Sequence, residues 1–401
     1  MPAATRVVIV GAAAAGLAVA EAARSAGYGG QLVMVGEEEH RPYDRPPLSK
    51  QVLLGEWSAE RIALRGDADL GKLGLDLRLG VPASGLDTDA RELALADDSR
   101  IAFDALVVST GVRARRLPGA PDARNVHVLR GLDDAVALRE QLTPGARLVV
   151  IGAGVLGAEV AAVATRLRAT VTLVDPLPVP MTRVVGAEVG EFVADLHREH
   201  GVDVRCGVGV RQLRKTGAQV DAVELEDGTL VPADVVLVAI GAVPAVDWLR
   251  GSAVPLGGRR PGEGAGGVLC AAGGRAIEGV YAAGDVAAWR TPDGDGHLRV
   301  EHRLNATEQG RAVAKSIVDP AFRHVPAVPY FWSDQYDVKI QSFGLPAPED
   351  EFVVVDGSLA ERRFVGAYLR AGVVTGALGV GMPRQLRAWR TRVGEPVPRT
   401  I

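Results

Sequence analysis

Short runs of β-forming apolar residues break repeatedly into glycine turns along this chain, and helix-forming stretches follow the breaks. Arg6–Val10 reads as a buried parallel strand, because an apolar run enters a glycine turn directly. A helix is expected through about Ala26, ended by Gly27, Gly29 and Gly30, and a second strand over Gln31–Gly36 closes in Glu37, Glu38 and Glu39. Leu148–Ile151 restarts the same order. A helix from about Val155 to Leu167 follows it, then a strand over Thr170–Val174 ending at Asp175, and Val235–Ile240 before Gly241 closes this second unit. Ala105–Gly111 and Val280–Ala283, the latter followed by Gly284–Asp285, read as further buried strands.

Elsewhere the pattern changes. Arg41–Lys50, RPYDRPPLSK, is too rich in proline to be a helix interior. Gly257–Gly274 has little apolar periodicity and reads as an exposed loop. After Pro326, alternation over Val338–Phe343, Phe352–Val355 and Phe364–Leu369 predicts an antiparallel sheet. The reading is a first nucleotide domain, a second inserted into it, and a C-terminal α+β cap.

The 401 residues carry 47% hydrophobic and 23% charged residues, values of a globular α/β enzyme. A net charge of −4 without a basic block argues against nucleic acid as a partner. No uninterrupted apolar run reaches the ~20 residues of a membrane span, so no membrane partner is expected. Cys206 and Cys270 stand apart with no CxxC, which excludes a disulfide scaffold and points to a reducing, cytoplasmic compartment. The seven histidines show no metal-ligand spacing, and no serine has a nearby histidine arrangement, so metal and hydrolytic mechanisms lack support.

The chemistry lies in the two glycine turns, VVIVGAAAAG at Val7–Gly16 and LVVIGAGVLGAE at Leu148–Glu159. A helix that opens from such a turn holds a pyrophosphate on its free N–H groups and positive dipole end. Two turns suggest two dinucleotides bound at once, with electrons passing between them. In the second turn Gly152 allows the tight bend, Gly154 lets the backbone approach the pyrophosphate, Gly157 lets helix and strand pack, and Asp175 stands where an acid binds a ribose 2′-OH. The first is weaker: Gly11 and Gly16 hold the outer positions, Ala13 and Ala15 replace smaller options, and Glu37 supplies the ribose acid. Lys50, after the rigid Pro46-Pro47 pair, reads as a cation presented at a defined place or as a solvated loop lysine. Glu159 reads as an ordinary early-helix acid favouring the dipole unless the turn gives it a role. Trp332 and Tyr336 read as core aromatics.

Six stretches occur in order: PYDRPPLSK at Pro42–Lys50, FDALVVSTG at Phe103–Gly111, LRGLDDA at Leu129–Ala135, GAGVLGAEVA at Gly152–Ala161, VYAAGDVA at Val280–Ala287 and PYFWSDQYD at Pro329–Asp337. Together they resemble the FAD-dependent, NADH-using ferredoxin reductases of bacterial oxygenase and cytochrome P450 systems, over nearly the whole chain. The resemblance implies a glutathione-reductase-like fold with two dinucleotide-binding domains and a C-terminal α+β domain. Residues 1–112 and 244–324 would form the FAD domain, 113–243 the NAD domain and 325–401 the C-terminal domain. It places Gly11, Ala15, Gly16, Glu37, Lys50, Ala83, Arg130, Asp285, Arg303 and Trp332 at FAD, and Gly152, Gly154, Gly157, Glu159, Asp175, Arg183 and Gly241 at NADH. Lys50 would sit by the isoalloxazine, close to Glu159 at the nicotinamide end, and these two are the catalytic candidates.

The implied partner is an acidic [2Fe–2S] ferredoxin serving a P450 or Rieske-type oxygenase, docked near Arg65, Arg311, Lys339 and Arg387. Arg303 departs from the aromatic or apolar residue common in relatives. Its cation would raise the flavin potential, recruit an acidic partner or point to solvent. A disulfide reductase on the same fold needs a redox cysteine after the first ribose acid, and no cysteine precedes Cys206. A partner-binding flavoprotein resembling apoptosis-inducing factor, or a reductase with a rubredoxin or monodehydroascorbate-type acceptor, is the alternative.

Overall fold

The computed structural model describes residues 4–257, 266–291, 294, 296–319 and 321–397, and the chain divides into two compact units. The first contains Met1–Asp44, Ala59–Arg113 and Val243–Ala327. Its centre is a six-stranded sheet in the order Arg275–Ile277, Val280–Ala282, Ala105–Val108, Arg6–Val10, Gln31–Val35 and Leu75–Arg78. All neighbours are parallel except the first pair. Val8 stands between Val33 and Leu106, and Val7–Val10 are buried throughout, as expected of a parallel strand covered on both faces.

The Ala14–Ser25 helix leaves the first glycine turn, and the Arg303–Val318 helix packs on it. That approach requires glycine at position 310, where a Cβ would stand 2.4 Å from the Ala15 carbonyl oxygen. The expected exposed loop over Gly257–Gly274 is corrected in part. Residues 258–265 lie outside the described residues, but Gly267–Cys270 is a largely buried strand pairing with Leu256–Gly257 and Ala287–Arg290. Its glycine-poor apolar core, Val268-Leu269-Cys270, was hidden among flanking glycines.

The second unit contains Arg45–Ser58, Ala114–Ala242 and Val328–Ile401. Its parallel sheet runs Asp203–Cys206, Thr170–Asp175, Arg147–Ile151, Val235–Val238 and Val126–His127. The C-terminal sheet is antiparallel, in the order Tyr330–Gln335, Val338–Gly344, Val373–Val380, Arg363–Arg370 and Glu351–Ser358. The alternating stretches are three of its five strands. The Thr182–Glu199 helix packs against this sheet through Val185, Val189, Val193 and Leu196 on Ile340, Phe364 and Tyr368. The Tyr368 hydroxyl donates to the Val185 carbonyl at 2.7 Å, which satisfies its buried polar tip.

Arg45–Ser58 lies within the span expected for the first domain, yet it clusters with the second unit, where it packs on the Leu132–Gln141 and Val155–Arg166 helices and its side chains bond Glu159 and the Arg130 carbonyl. The proline-rich loop contains a short helical turn, Pro46–Ser49, followed by the Gln51–Leu54 helix. Proline is suited to that first turn, where its missing N–H would be unpaired in any case.

Candidate functional site

The two glycine turns share one geometry, which packing dictates. Gly11 has φ +120° and Gly152 φ +105°, a region that L side chains avoid. A Cβ on Gly11 would lie 2.1 Å from the Ser109 carbonyl oxygen, and one on Gly152 2.4 Å from that of Ala239. Five residues on, a Cβ on Gly16 would lie 2.1 Å from the Gly11 oxygen, and one on Gly157 1.9 Å from the Gly152 oxygen. These four glycines let each helix press onto its strand.

Gly154 differs. It is the N-cap of the Val155–Arg166 helix at φ −69°, and a Cβ there would meet no protein atom within 4 Å. Neither conformation nor packing demands glycine at this position, so the bare backbone leaves a cradle for a ligand. Neither nucleotide helix has a side-chain cap or an acid in its first turn. Their N-terminal N–H groups are thereby left for an anion, and a dinucleotide pyrophosphate fits both turns. Gly157→Ala is therefore expected to lower the melting temperature strongly. Gly154→Ala should cost only about 0.5–1 kcal/mol as a lost N-cap while weakening NADH binding; equal melting losses in the two variants would remove the distinction.

Asp175 ends its strand and braces the second turn. Its carboxylate accepts the Ala153 N–H at 2.7 Å and the Leu177 N–H at 2.8 Å. Gly241 has φ +95° with open space at its α-carbon, and Arg183 is exposed on the Thr182–Glu199 helix.

In the first unit, Glu37 is exposed just beyond the Gln31–Val35 strand. Gly284, at φ +80°, lies against the first turn: a Cβ there would stand 3.0 Å from that of Ala15. Its N–H donates to Gln309 Oε1 at 2.8 Å, which fixes the turn carrying half-buried Asp285. Gly284 and Ala15 thus meet at one helix end, with Asp285 next in the chain. Ala83 opens the Ala83–Asp87 strand, half-buried. Arg303 corrects the solvent-pointing expectation: its guanidinium pairs with Asp44 and donates to Thr307 Oγ1 at 2.5 Å. Its charge is met inside the unit by an acid far away in sequence.

The other residues assigned to FAD fall in the second unit. The Arg130 carbonyl accepts from Arg45 Nη1 at 2.7 Å, and Trp332 is half-buried beside Tyr330. Lys50 is 8% exposed and Glu159 only 3%, so neither is a solvated surface charge. Lys50 Nζ lies 2.7 Å from Glu159 Oε2, and the Ser49 hydroxyl donates to the same oxygen at 2.6 Å. The Ser333 hydroxyl donates to Oε1 at 2.8 Å. A buried ion pair is tolerable when its spare lone pairs are satisfied in this way. The reading of Glu159 as a dipole-compensating acid is overturned, since the helix turns it inward.

The network extends further. Gln335 Nε2 lies 3.3 Å from Ser333 Oγ, and Gln335 Oε1 lies 3.1 Å from Nε2 of the fully buried His197. His197 Nδ1 is 2.9 Å from the Tyr336 hydroxyl, and His200 stacks on the Tyr336 ring. Burial pushes the His197 imidazole down to about 4 and the Tyr336 phenol up to about 12, so both are neutral at physiological pH. Sequence reading missed Ser49, His197, Ser333 and Gln335. The signal present was the shared face of Ser333 and Gln335, two apart on one strand.

The residues expected to dock a partner are all partly or fully exposed, but two carry partners. Arg65 pairs with Glu21 at 2.7 Å and Lys339 with Asp334 at 3.2 Å, whereas Arg311 and Arg387 are exposed. Burial pushes both cysteine thiols up to about 12, which leaves neither as a reactive thiolate. Among the described residues no cluster could hold a metal ion, and no helix is long and apolar enough to cross a membrane.

Comparison with known proteins agrees with this geometry. A family model described as pyridine nucleotide-disulphide oxidoreductase matches residues 5–310, and one described as reductase C-terminal matches 330–398. The chain is 36% identical to the ferredoxin–NAD(+) reductase component of a p-cumate 2,3-dioxygenase system from Pseudomonas putida, covering 85% of this chain and 81% of that protein. It is 34% identical to putidaredoxin reductase CamA of the same species, covering 98% and 92%. A crystal structure of a covalent putidaredoxin reductase–putidaredoxin complex superposes with a TM-score of 0.90 at 34% identity, covering 98% of this chain and 94% of that one.

Proposed function

Because the chain belongs to the pyridine nucleotide-disulphide oxidoreductase family and carries its reductase C-terminal domain, we propose that it is an FAD-dependent NADH:ferredoxin reductase. It serves a [2Fe–2S] ferredoxin that feeds a P450 or Rieske-type oxygenase, in the cytoplasm. Bound FAD supplies the chemistry, taking a hydride from NADH and giving up the two electrons singly. The observation that carries the reading is the buried Lys50–Glu159 pair, set on the helix of the second nucleotide turn.

The chain's own residues bind and orient. Gly11, Ala15, Gly16, Glu37 and Asp285 hold FAD in the first unit, with the pyrophosphate on the Ala14–Ser25 helix. Gly152, Gly154 and Gly157 hold the NADH pyrophosphate, and Asp175 takes the adenosine ribose through the lone pairs its two backbone bonds leave. Lys50 serves the flavin and Glu159 the nicotinamide, each fixed by the other's charge, so that the reacting carbon arrives oriented.

Titrating the purified protein with NADH under anaerobic conditions should bleach its visible flavin bands, and adding an oxidised [2Fe–2S] ferredoxin should restore them. Persistence of the flavin bands on NADH addition would overturn the reading. NADPH should be poorer in kcat/KM by roughly 10²-fold, because like charges brought together cost several kcal/mol and Asp175 would face the 2′-phosphate. Asp175→Ala should narrow that ratio.

Ferredoxin-dependent turnover should fall as ionic strength rises, whereas NADH-to-ferricyanide turnover should change little, because exposed charges act over only about 8 Å at physiological salt. Arg311→Glu should raise the ferredoxin KM more than Arg65→Glu, since Glu21 already offsets the Arg65 charge. An unchanged KM in the double variant would place docking elsewhere.

A further inference from the structure

We propose that Tyr336, His197, Gln335 and Ser333 form a one-way hydrogen-bond relay that positions the Glu159 carboxylate, with His197 setting its direction. Every link lies within the second unit, on three elements: the Thr182–Glu199 helix, the Tyr330–Gln335 strand with its following turn, and the Val155–Arg166 helix.

The direction follows from what each atom can do. Gln335 Oε1 can only accept, so the His197 Nε2 facing it at 3.1 Å carries the proton. In a neutral imidazole Nδ1 then holds a lone pair, which accepts the Tyr336 hydroxyl at 2.9 Å. The Gln335 amide presents its N–H₂ to Ser333 Oγ at 3.3 Å and to the Met181 sulfur at 3.2 Å. Ser333 accepts that bond and gives its own proton to Glu159 Oε1 at 2.8 Å. The other carboxylate oxygen is held separately by Lys50 and Ser49. Each oxygen is therefore anchored from a different part of the fold, and the carboxylate plane cannot rotate.

The opposite tautomer would undo this. A lone pair on Nε2 would face Gln335 Oε1, the amide would turn over, and its oxygen would meet Ser333. The serine proton would then go to Gln335, and Glu159 Oε1 would lose its donor. Ser333, Gln335 and His197 are each 0% exposed, so no water replaces the lost bond. A set of polar side chains that merely satisfied one another would need no common direction; this one ends on the carboxylate assigned to the nicotinamide.

The kinetic part of the proposal rests on the assignment of Glu159 to NADH orientation, while the positioning part does not. Nitrogen-15 NMR of histidine-labelled, FAD-loaded protein should show His197 as the Nε2–H tautomer; the Nδ1–H form would overturn the relay without any substitution. The carboxyl carbon signal of Glu159, assigned by its loss in Glu159→Gln, should move in Gln335→Met and in Tyr336→Phe. A signal unmoved in both folded variants would also overturn it. In stopped-flow reduction by NADH, Gln335→Met should slow the flavin step about 5- to 10-fold, the worth of about one ordinary hydrogen bond. Added to Glu159→Gln, the same change should do nothing further. Equal slowing in both backgrounds would show Gln335 to be a packing residue and sink the proposal. If Glu159→Gln alone leaves reduction unchanged, the nicotinamide assignment fails, and tautomer and carboxyl signal still decide the relay.

Discussion

Glu159→Gln is expected to slow reduction of bound FAD by NADH about 10- to 100-fold while leaving the flavin bound. The substitution keeps the side chain's shape and removes its charge. Three donors converge on the native carboxylate: Lys50, Ser49 and Ser333. An amide offers one oxygen to them and turns an N–H₂ group against the rest. One donor is left without an acceptor, and the Lys50 ammonium loses its counter-charge. The turn at Gly11–Gly16, proposed to hold the FAD pyrophosphate, belongs to the other unit. The effect should therefore appear in the stopped-flow rate at saturating NADH, with unchanged flavin content after gel filtration. A wild-type rate would leave Glu159 as a structural ion-pair member only.

The second large effect is on stability. Lys50→Met should cost about 3–5 kcal/mol, because it leaves a carboxylate that is 3% exposed without a cation. For a unit of this size that corresponds to a fall of roughly 6–20 °C in apparent melting temperature. Adding Glu159→Leu should recover much of the loss, since the double variant buries no charge, although the Ser49 and Ser333 hydroxyls then lack their acceptor. The single and double variants, melted side by side in the FAD-loaded state, form a mutant cycle. Strong non-additivity is the expected outcome; losses that simply add would mean that the two charges do not depend on one another. Activity should stay low in the double variant, separating the pair's structural contribution from its part in orienting NADH.

The backbone grammar was legible from local sequence. Gly11 and Gly16, and Gly152 and Gly157, are spaced alike because each pair solves the same close approach of helix to strand. Apolar runs such as Val7–Val10 declare a strand buried on both faces. The lining of the site was much less legible. Read from its own helix alone Glu159 looks like a surface acid; the family resemblance anticipated its closeness to Lys50, but its bonds to Ser49 and Ser333, more than 100 positions away, carried no signal. Ser333 and Gln335 are polar residues on the inward face of a strand, so hydrophobic alternation gives them no signal. Arg303 reads as an exposed cation for the same reason: Asp44, which neutralises it, is remote in sequence and close only in the fold.

The path of the chain has a consequence for synthesis. Each unit is assembled from three separate segments, and the first is not complete until residue 327 has been made. The Val280–Ala282 strand that pairs with Ala105–Val108, and the helix beneath Ala15, both belong to its last segment. On a ribosome adding about 5–20 residues each second, the early strands emerge long before the partners that cover them. No N-terminal fragment that ends before residue 327 contains a complete unit. A truncated transcript should therefore yield an unpaired sheet edge rather than a small working domain, and growing chains should lean on holdase chaperones until the C-terminal third is released. A single cut anywhere between residues 45 and 327 would sever both units at once.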